Sequence, residues 1–286
     1  MHLKNKVKYR QLYFYNLSFM STRVPNVAGL FYPTNSKELG YYIEELLNKA
    51  NDVKLPFDRL KAIIVPHAGY PYSGIVAASA FKAIAKIAEK IKNVILIGPS
   101  HRYTFDYIAL STYDAWETPL GSVKVNSSLG ETLTKNKFIV ADNKKFAQEH
   151  SQEVQIPFLQ KVLPEFNLVS LCTGQSVNYT GTAESLLNCL NDETFLVISS
   201  DLSHYLSYEL ASQIDRKTIN AILDKNINYF ESSENVACGD EGIKILLSLA
   251  MQNNLKAKLI DYKNSGDVSD DKTQEVVGYA AIGFYC

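Results

Sequence analysis

Three of the five histidines in this 286-residue chain follow short apolar runs. His67 lies in AIIVPHAGYPYSG, His101 closes NVILIGPSH and His204 closes FLVISSDLSH. Continuously apolar runs of this length are typical of parallel strands covered on both faces, and in an open α/β sheet ligands bind at the carboxyl ends of such strands. Neutral imidazole is the commonest metal ligand in proteins. The pattern therefore predicts that the three histidines meet in one metal or acid–base site.

A cysteine offers a further ligand of a different kind. Cys238 lies in ENVACGDEGI, immediately before Gly239 and a helix predicted to begin near Gly242. Two histidines and one anionic ligand leave open coordination positions on a metal, which catalysis requires. The anionic ligand could be a carboxylate or a thiolate. A thiolate at a helix start would be stabilised there, although a cysteine is also common as a simple buried residue.

The segment EHSQEVQ contains a fourth histidine that needs separate treatment. His150 and Glu153 are three residues apart, so on a helix they would face the same side. That spacing can bind a metal. Polar groups at a helix start also bond to exposed loop backbone. We favour the second interpretation, in which His150 supports the site without binding the metal.

The elements that would position these residues alternate between strands and helices, which predicts one α/β/α layered domain. Its central sheet is expected to be mixed and largely parallel. Strands are predicted over residues 62–65, 94–97, 107–111, 123–125, 168–172, 195–199, 256–262 and 277–285. Helices are predicted over residues 36–50, 75–91, 150–162, 183–190, 210–223 and 242–251. The polar stretch 263–273 is predicted to be a surface loop.

Composition excludes several classes of protein. Hydrophobic residues make up 46% and the net charge is −1, so no basic surface for nucleic acid is expected. No apolar run is long enough to span a membrane. The four cysteines have no CxxC spacing, which excludes a zinc ribbon and favours a reducing, cytoplasmic location. Residues 1–19 are expected to be a dispensable extension before Met20, followed by a single domain over residues 20–286.

Seven stretches resemble the Memo family, which in bacteria and archaea is the B protein of the AmmeMemoRadiSam system. They occur in the family's order from Arg23 to the last strand, and together they are very specific. The stretches are RVPNVAGLFYP, IVPHAGYPYSG, LIGPSHR, TPLGSVKV, EHSQEVQIPFLQ, SSDLSHY and CGDEGI.

The resemblance implies a LigB-like fold, as in class III extradiol dioxygenases. Those enzymes hold non-haem Fe(II) with two histidines and a glutamate, and use another histidine as acid/base. The matching positions here are His67, His101 and Cys238 for the metal. His204 matches the acid/base histidine, with Asp201 beside it. The resemblance implies Fe(II) as the metal. Because a thiolate replaces the glutamate and softens the site, copper and zinc are alternatives.

Three functions follow as hypotheses. The leading one is an iron-dependent, dioxygenase-like oxidoreductase acting on a small substrate. A metal-free hydrolase using Ser199 or Ser200 with His204 and Asp201 is disfavoured, because the chain has no G-x-S-x-G elbow and a triad is usually gathered from distant segments. The third is a binding, signalling or metal-handling module that takes a small molecule or peptide. The family name further implies a link to an AMMECR-type protein and a radical SAM enzyme.

Overall fold

The computed structural model describes residues 20–286, so the expected extension over residues 1–19 lies outside the described part of the chain. The described chain forms three layers, with helices on both faces of an eight-stranded sheet. This confirms the predicted α/β/α architecture. A separate three-stranded sheet, in the order β1-β5-β6, lies beside it. The strands are β1 (Thr22–Arg23), β2 (Leu60–Val65), β3 (Asn93–Pro99), β4 (Ile108–Leu110), β5 (Ala115–Thr118), β6 (Gly121–Lys124), β7 (Ile139–Ala141), β8 (Asn167–Thr173), β9 (Thr194–Ser199), β10 (Lys256–Asn264) and β11 (Gly278–Tyr285).

The helices divide between the two faces of the large sheet. Apolar residues of α1, α2 and α4 pack on one face, and those of α3 and α5 to α8 pack on the other. Among the described residues, no helix is both long and apolar enough to cross a membrane. The helices are α1 (Ser36–Lys49), α2 (Tyr70–Ala85), α3 (Ser127–Leu133), α4 (Ile156–Val162), α5 (Tyr179–Leu187), α6 (Tyr208–Leu223), α7 (Ile227–Ser232), α8 (Asp240–Gln252) and α9 (Ser265–Ser269).

The large sheet has the strand order β10-β11-β2-β9-β3-β8-β4-β7. Its centre is parallel, because β2, β9, β3 and β8 run in one direction. Antiparallel pairing begins at β11 on one side and at β4 on the other, so the sheet is mixed, as predicted. The carboxyl ends of the four central strands lie at one edge. His67, His101 and His204 follow three of these four ends.

Burial on both faces explains why the central strands have no polar alternation. In β2, Ile63 and Val65 pack into the core on one side, whereas Ala62 and Ile64 pack into the core on the other. All four side chains are at most 1% exposed. A continuously apolar sequence is therefore required here.

The two largest differences in where a helix begins are five and six residues, and proline explains both. Helix α2 begins at Tyr70 rather than Ile75, with Pro71 in its first turn. Helix α4 begins only at Ile156, with Pro157 in its first turn. A first-turn proline removes an N–H that has no partner inside the helix and presets a helical backbone angle. Residues 150–155 are consequently a turn and a short 3-10 helix instead of the predicted α-helix.

Short elements account for most of the remaining differences. The sequence patterns did not indicate β1, β5, β7, α3 or α7, which have seven residues or fewer. Helix α9 lies inside the stretch predicted to be a loop, where Asn264 and Asp267 form a reciprocal capping box. The N-cap of α1 is Asn35, whose side chain accepts from the backbone N–H groups of Lys37 and Glu38. Elements this short contain too few residues to display a period.

Candidate metal centre

The side chains of His67, His101 and Cys238 converge at the carboxyl edge of the sheet. One ligand atom from each lies within 4.8 Å of the others. Nε2 of His67 is 3.2 Å from Sγ of Cys238. His67 follows β2, His101 follows β3, and Cys238 lies two residues before α8. The fold thus brings together three residues, of which His67 and Cys238 are 171 positions apart in the sequence.

Hydrogen bonds fix which nitrogen of His67 faces the cluster. Ser199 Oγ donates its proton to the carbonyl of Ser151 at 2.5 Å and accepts from Gln155 Nε2 at 2.8 Å. Nδ1 of His67 is 2.9 Å from the same oxygen and must therefore be the donor. The proton is on Nδ1, and the lone pair of Nε2 points towards Cys238. Burial, followed by the neighbouring histidines, lowers the pKa of His67 well below its ordinary value, so the ring is neutral.

His101 is oriented by a carboxylate instead of a hydroxyl. Its Nδ1 donates to Oε1 of Glu149 at 2.9 Å, and its backbone N–H donates to Oε2 at 2.6 Å. Glu149 is completely buried. Burial would raise the pKa of Glu149, but the hydrogen bond and charge of His101 and the charge of His150 lower it to about 2. The carboxylate is thus ionised, and Nε2 of His101 is left free for a ligand.

Cys238 is held close to the end of β9. Its Sγ accepts from the backbone N–H of Asp201 at 3.3 Å. A Cβ on Gly239 would lie 2.7 Å from Cβ of Ser200 and 2.8 Å from the carbonyl oxygen of Ser199, so only glycine allows this approach. Burial, followed by the charge of Asp201, raises the pKa of the Cys238 thiol well above its ordinary value. A bound cation would supply the positive charge that favours the thiolate.

These residues fit a transition metal. Two neutral imidazoles and a thiolate suit iron, copper or zinc and do not suit Mg²⁺ or Ca²⁺. The 3.2 Å between Nε2 of His67 and Sγ of Cys238 is compatible with two ligands on one ion, since such bonds are about 2.0–2.3 Å long. His101, Glu149 and His150 form a second cluster of ligand atoms. In that second cluster, Oε1 of Glu149 accepts three N–H groups and Oε2 accepts one, so the carboxylate serves there as a hydrogen-bond acceptor for His101 and its neighbours.

Asp201 and His204 lie beside the cluster and outside it. Asp201 is 4% exposed, and its Oδ1 accepts from the backbone N–H of His67 at 2.7 Å. Burial raises the pKa of Asp201 to about 7, against the lowering effect of that hydrogen bond. His204 is partly exposed and lines the same pocket. Burial also lowers the pKa of His204 from its ordinary value. Both side chains therefore line the pocket beside the proposed ligands.

His150 lies further inside the site than the sequence suggested. Its ring stacks on His101 at a centroid distance of 4.5 Å, packs against Phe31 at 4.9 Å and lines the pocket. Burial lowers the pKa of His150 to about 4. Glu153 points elsewhere and is paired with Arg23. The expectation that both side chains share a helix face was wrong, because residues 150–155 are not α-helical.

The pocket over the cluster has a volume of about 590 Å³. Its walls are largely apolar, with Phe31, Ala237 and Val277 among the lining residues. Tyr205 is 71% exposed and has a positive φ of 54°, which is uncommon for a bulky residue. The volume is within the ordinary range for small-molecule sites.

Neither serine of the hydrolase hypothesis is arranged as a nucleophile. Ser199 is completely buried and bonded to His67. Ser200 is also buried, donates to the carbonyl of Asp201 at 2.8 Å and accepts from the backbone N–H of Gly239 at 2.9 Å. Both hydroxyls are therefore engaged in holding the ends of the strands, which argues against this hypothesis.

The sequence analysis expected polar groups of the segment EHSQEVQ to bond to loop backbone, but it did not identify which side chains of residues 149–155 do so. Side chains of this segment bond to the carbonyls of Pro66, Gly98 and Pro99, at the ends of β2 and β3. The available signal was an unusual density of polar residues between apolar stretches. Within this segment, five polar side chains are at most 1% exposed: Glu149, Ser151, Gln152, Glu153 and Gln155.

Comparisons with known proteins agree with the motifs. A family model described as Memo-like protein matches residues 23–283. A MEMO1 family protein of Thermoplasma volcanium is 37% identical over 267 residues, covering 91% of this chain and 97% of that protein. One from Archaeoglobus fulgidus is 34% identical and covers 92% and 99%. One from Aquifex aeolicus is 36% identical and covers 93% and 100%.

A solved structure shares the fold. The crystal structure of an uncharacterized protein from Escherichia coli K12 superposes with a TM-score of 0.54 at 11% sequence identity. The match covers 78% of this chain and 99% of that one. At this identity the likeness concerns the fold alone.

Proposed function

The chain belongs to the Memo family, and from that premise we propose that it is an iron-binding protein with oxidoreductase chemistry of the dioxygenase type. His67, His101 and Cys238 would hold the metal. The observation that carries this proposal is the convergence of two imidazole nitrogens and one sulfur within 4.8 Å, next to an open pocket. Fe(II) is the proposed ion, with copper and zinc as alternatives that the thiolate would also favour.

A bound iron ion would supply redox chemistry and open coordination positions for a small substrate. The protein supplies orientation and proton transfer. Ser199 and Glu149 each hold the proton of one histidine on Nδ1, which directs the Nε2 lone pairs to the same point.

Asp201 and His204 would move protons at the substrate. Asp201 has its pKa raised to about 7 by burial, which is close to the value that suits an acid/base group near neutrality. His204 lies across the same pocket and is not in the ligand cluster. A carboxyl and an imidazole that face one pocket can give and accept a proton in turn.

The second candidate is a non-enzymatic module that binds a small molecule or peptide, or that stores a metal. The exposed Tyr205 at the pocket would be a contact for such a ligand. The presence of Asp201 and His204 favours turnover, since storage needs no acid/base groups. A functional link to an AMMECR-type protein and a radical SAM enzyme is part of this proposal, and it would make the bound ligand an intermediate of a shared pathway.

Replacement of His204 by glutamine should leave iron binding intact and abolish turnover. General acid–base groups contribute about 10²- to 10⁴-fold to rate, so oxygen consumption with a catechol probe should fall by at least about 100-fold. Iron content per chain after anaerobic loading is the internal control. Loss of iron from His204→Gln, with iron retained by His101→Gln, would reverse the two roles.

Anaerobic metal titration tests the proposed function as a whole. The wild-type protein should bind close to one Fe(II) per chain. When oxygen is then admitted together with a catechol probe, the loaded protein should consume the oxygen. Binding without consumption of oxygen would favour the module over the enzyme. Absence of any Fe(II), copper or zinc binding would refute both versions of the metal site.

A further inference from the structure

Glu149 is a buried carboxylate beside the proposed ligands, and its charge distinguishes it from the hydroxyl that orients His67. Glu149 accepts four hydrogen bonds, from the ring and backbone of His101 and from the backbone N–H groups of His150 and Ser151. The distances are 2.6–2.9 Å. The side chain is completely buried. A carboxylate is costly to bury unless it is hydrogen-bonded. Both oxygens of Glu149 accept N–H groups, three at Oε1 and one at Oε2.

The two histidines of the cluster are oriented by acceptors of different charge. His67 donates to the neutral hydroxyl of Ser199 at 2.9 Å. His101 donates to the anionic carboxylate of Glu149 at the same distance. A carboxylate bonded to the far nitrogen of a metal-binding histidine raises the basicity of the ring, and loss of such a partner typically reduces metal affinity by about 10- to 100-fold. A hydroxyl supplies the orientation without the charge.

We propose that Glu149 is a positioning residue for the metal: it holds the His101 ring in the Nδ1–H form and makes His101 the stronger of the two nitrogen donors. This inference rests on the proposed metal site. Glu149 is proposed to act through His101 and not as a ligand itself, because Oε1 accepts three N–H groups and Oε2 accepts the backbone N–H of His101. Glu149 also accepts from the backbone N–H of His101, which fixes the position of the main chain that carries the ring. One side chain therefore supplies both the orientation of His101 and the negative charge beside it.

The direct test is Glu149→Gln, which keeps the size of the side chain and removes its charge. Fe(II) affinity, measured by anaerobic titration, should fall by about 10- to 100-fold. The absorption spectrum of the Co(II)-loaded variant should shift, because the ligand field of His101 weakens. Glu44→Gln is the control: Glu44 pairs with Lys161, and neither side chain lines the pocket. It should leave both the metal affinity and the Co(II) spectrum unchanged in folded protein.

A second measurement does not depend on metal. In nitrogen-15 NMR of the metal-free protein, His101 should carry its proton on Nδ1, with a downfield proton resonance caused by the charged acceptor. That resonance should move upfield in Glu149→Gln. A proton on Nε2 of His101 in the wild type, or equal Fe(II) affinity and equal Co(II) spectra in wild type and Glu149→Gln, would overturn the proposal. If the wild type bound no metal, the proposed function would fail, while the NMR result would still decide whether Glu149 orients His101.

Discussion

Cys238→Ser should reduce Fe(II) affinity by more than about 100-fold. Removing a residue that only hydrogen-bonds to a metal ligand costs at most about 100-fold, and loss of a ligand itself should cost more. Serine is nearly the same size, but its hydroxyl stays neutral and gives a poor replacement for an anionic sulfur. The remaining His67 and His101 would bind the ion with two nitrogens only. Anaerobic titration of both proteins measures the difference directly.

Two further variants sharpen this prediction. Cys238→Asp should recover part of the affinity and shift preference from copper towards iron, because it restores a two-histidine, one-carboxylate site. Cys286→Ser is the control, since this exposed thiol lies at the end of the chain, away from the pocket. Equal Fe(II) affinity in wild type and Cys238→Ser would remove the cysteine from the ligand set.

Glu153→Gln should lower the free energy of unfolding by about 3–5 kcal/mol, the usual cost of leaving one charge of a buried pair without its partner. Glu153 is paired with Arg23, and both side chains are at most 1% exposed. The same carboxylate accepts from the backbone N–H groups of Asn26 and Val27 and from the hydroxyl of Tyr32. It therefore holds the segment that contains Phe31, one wall of the pocket.

Urea denaturation of the metal-free protein gives the measurement. The matched control is Glu44→Gln, which removes the partly exposed pair between Glu44 and Lys161 and should cost less than about 1 kcal/mol. Equal losses in the two variants would show that burial of the Arg23–Glu153 pair does not govern its contribution.

The sequence predicted which residues lie at the carboxyl edge of the sheet better than it predicted the residues that support them. Apolar runs before His67, His101 and His204 identified parallel strands, since burial on both faces leaves a local signature. The position of Cys238 was indicated by the glycine after it, which the close approach to Ser199 and Ser200 requires.

The supporting residues could not be predicted in the same way. Glu149 reaches His101 across 48 sequence positions, and such a contact has no local period. The divergence of His150 and Glu153 depends on the helix beginning only at Ile156, and it is the buried Arg23 that accounts for where Glu153 points. Contacts of this kind depend on which strands are neighbours in the sheet. The hydrophobic pattern of a single segment gives no information about its neighbours.

X-ray absorption spectroscopy of the anaerobically iron-loaded wild-type protein tests the central claim most directly. The site built from His67, His101 and Cys238 predicts one sulfur and two imidazole nitrogens bound to the iron, and loss of the sulfur contribution in Cys238→Ser. An iron environment of oxygen and nitrogen alone, identical in the wild type and in Cys238→Ser, would contradict it.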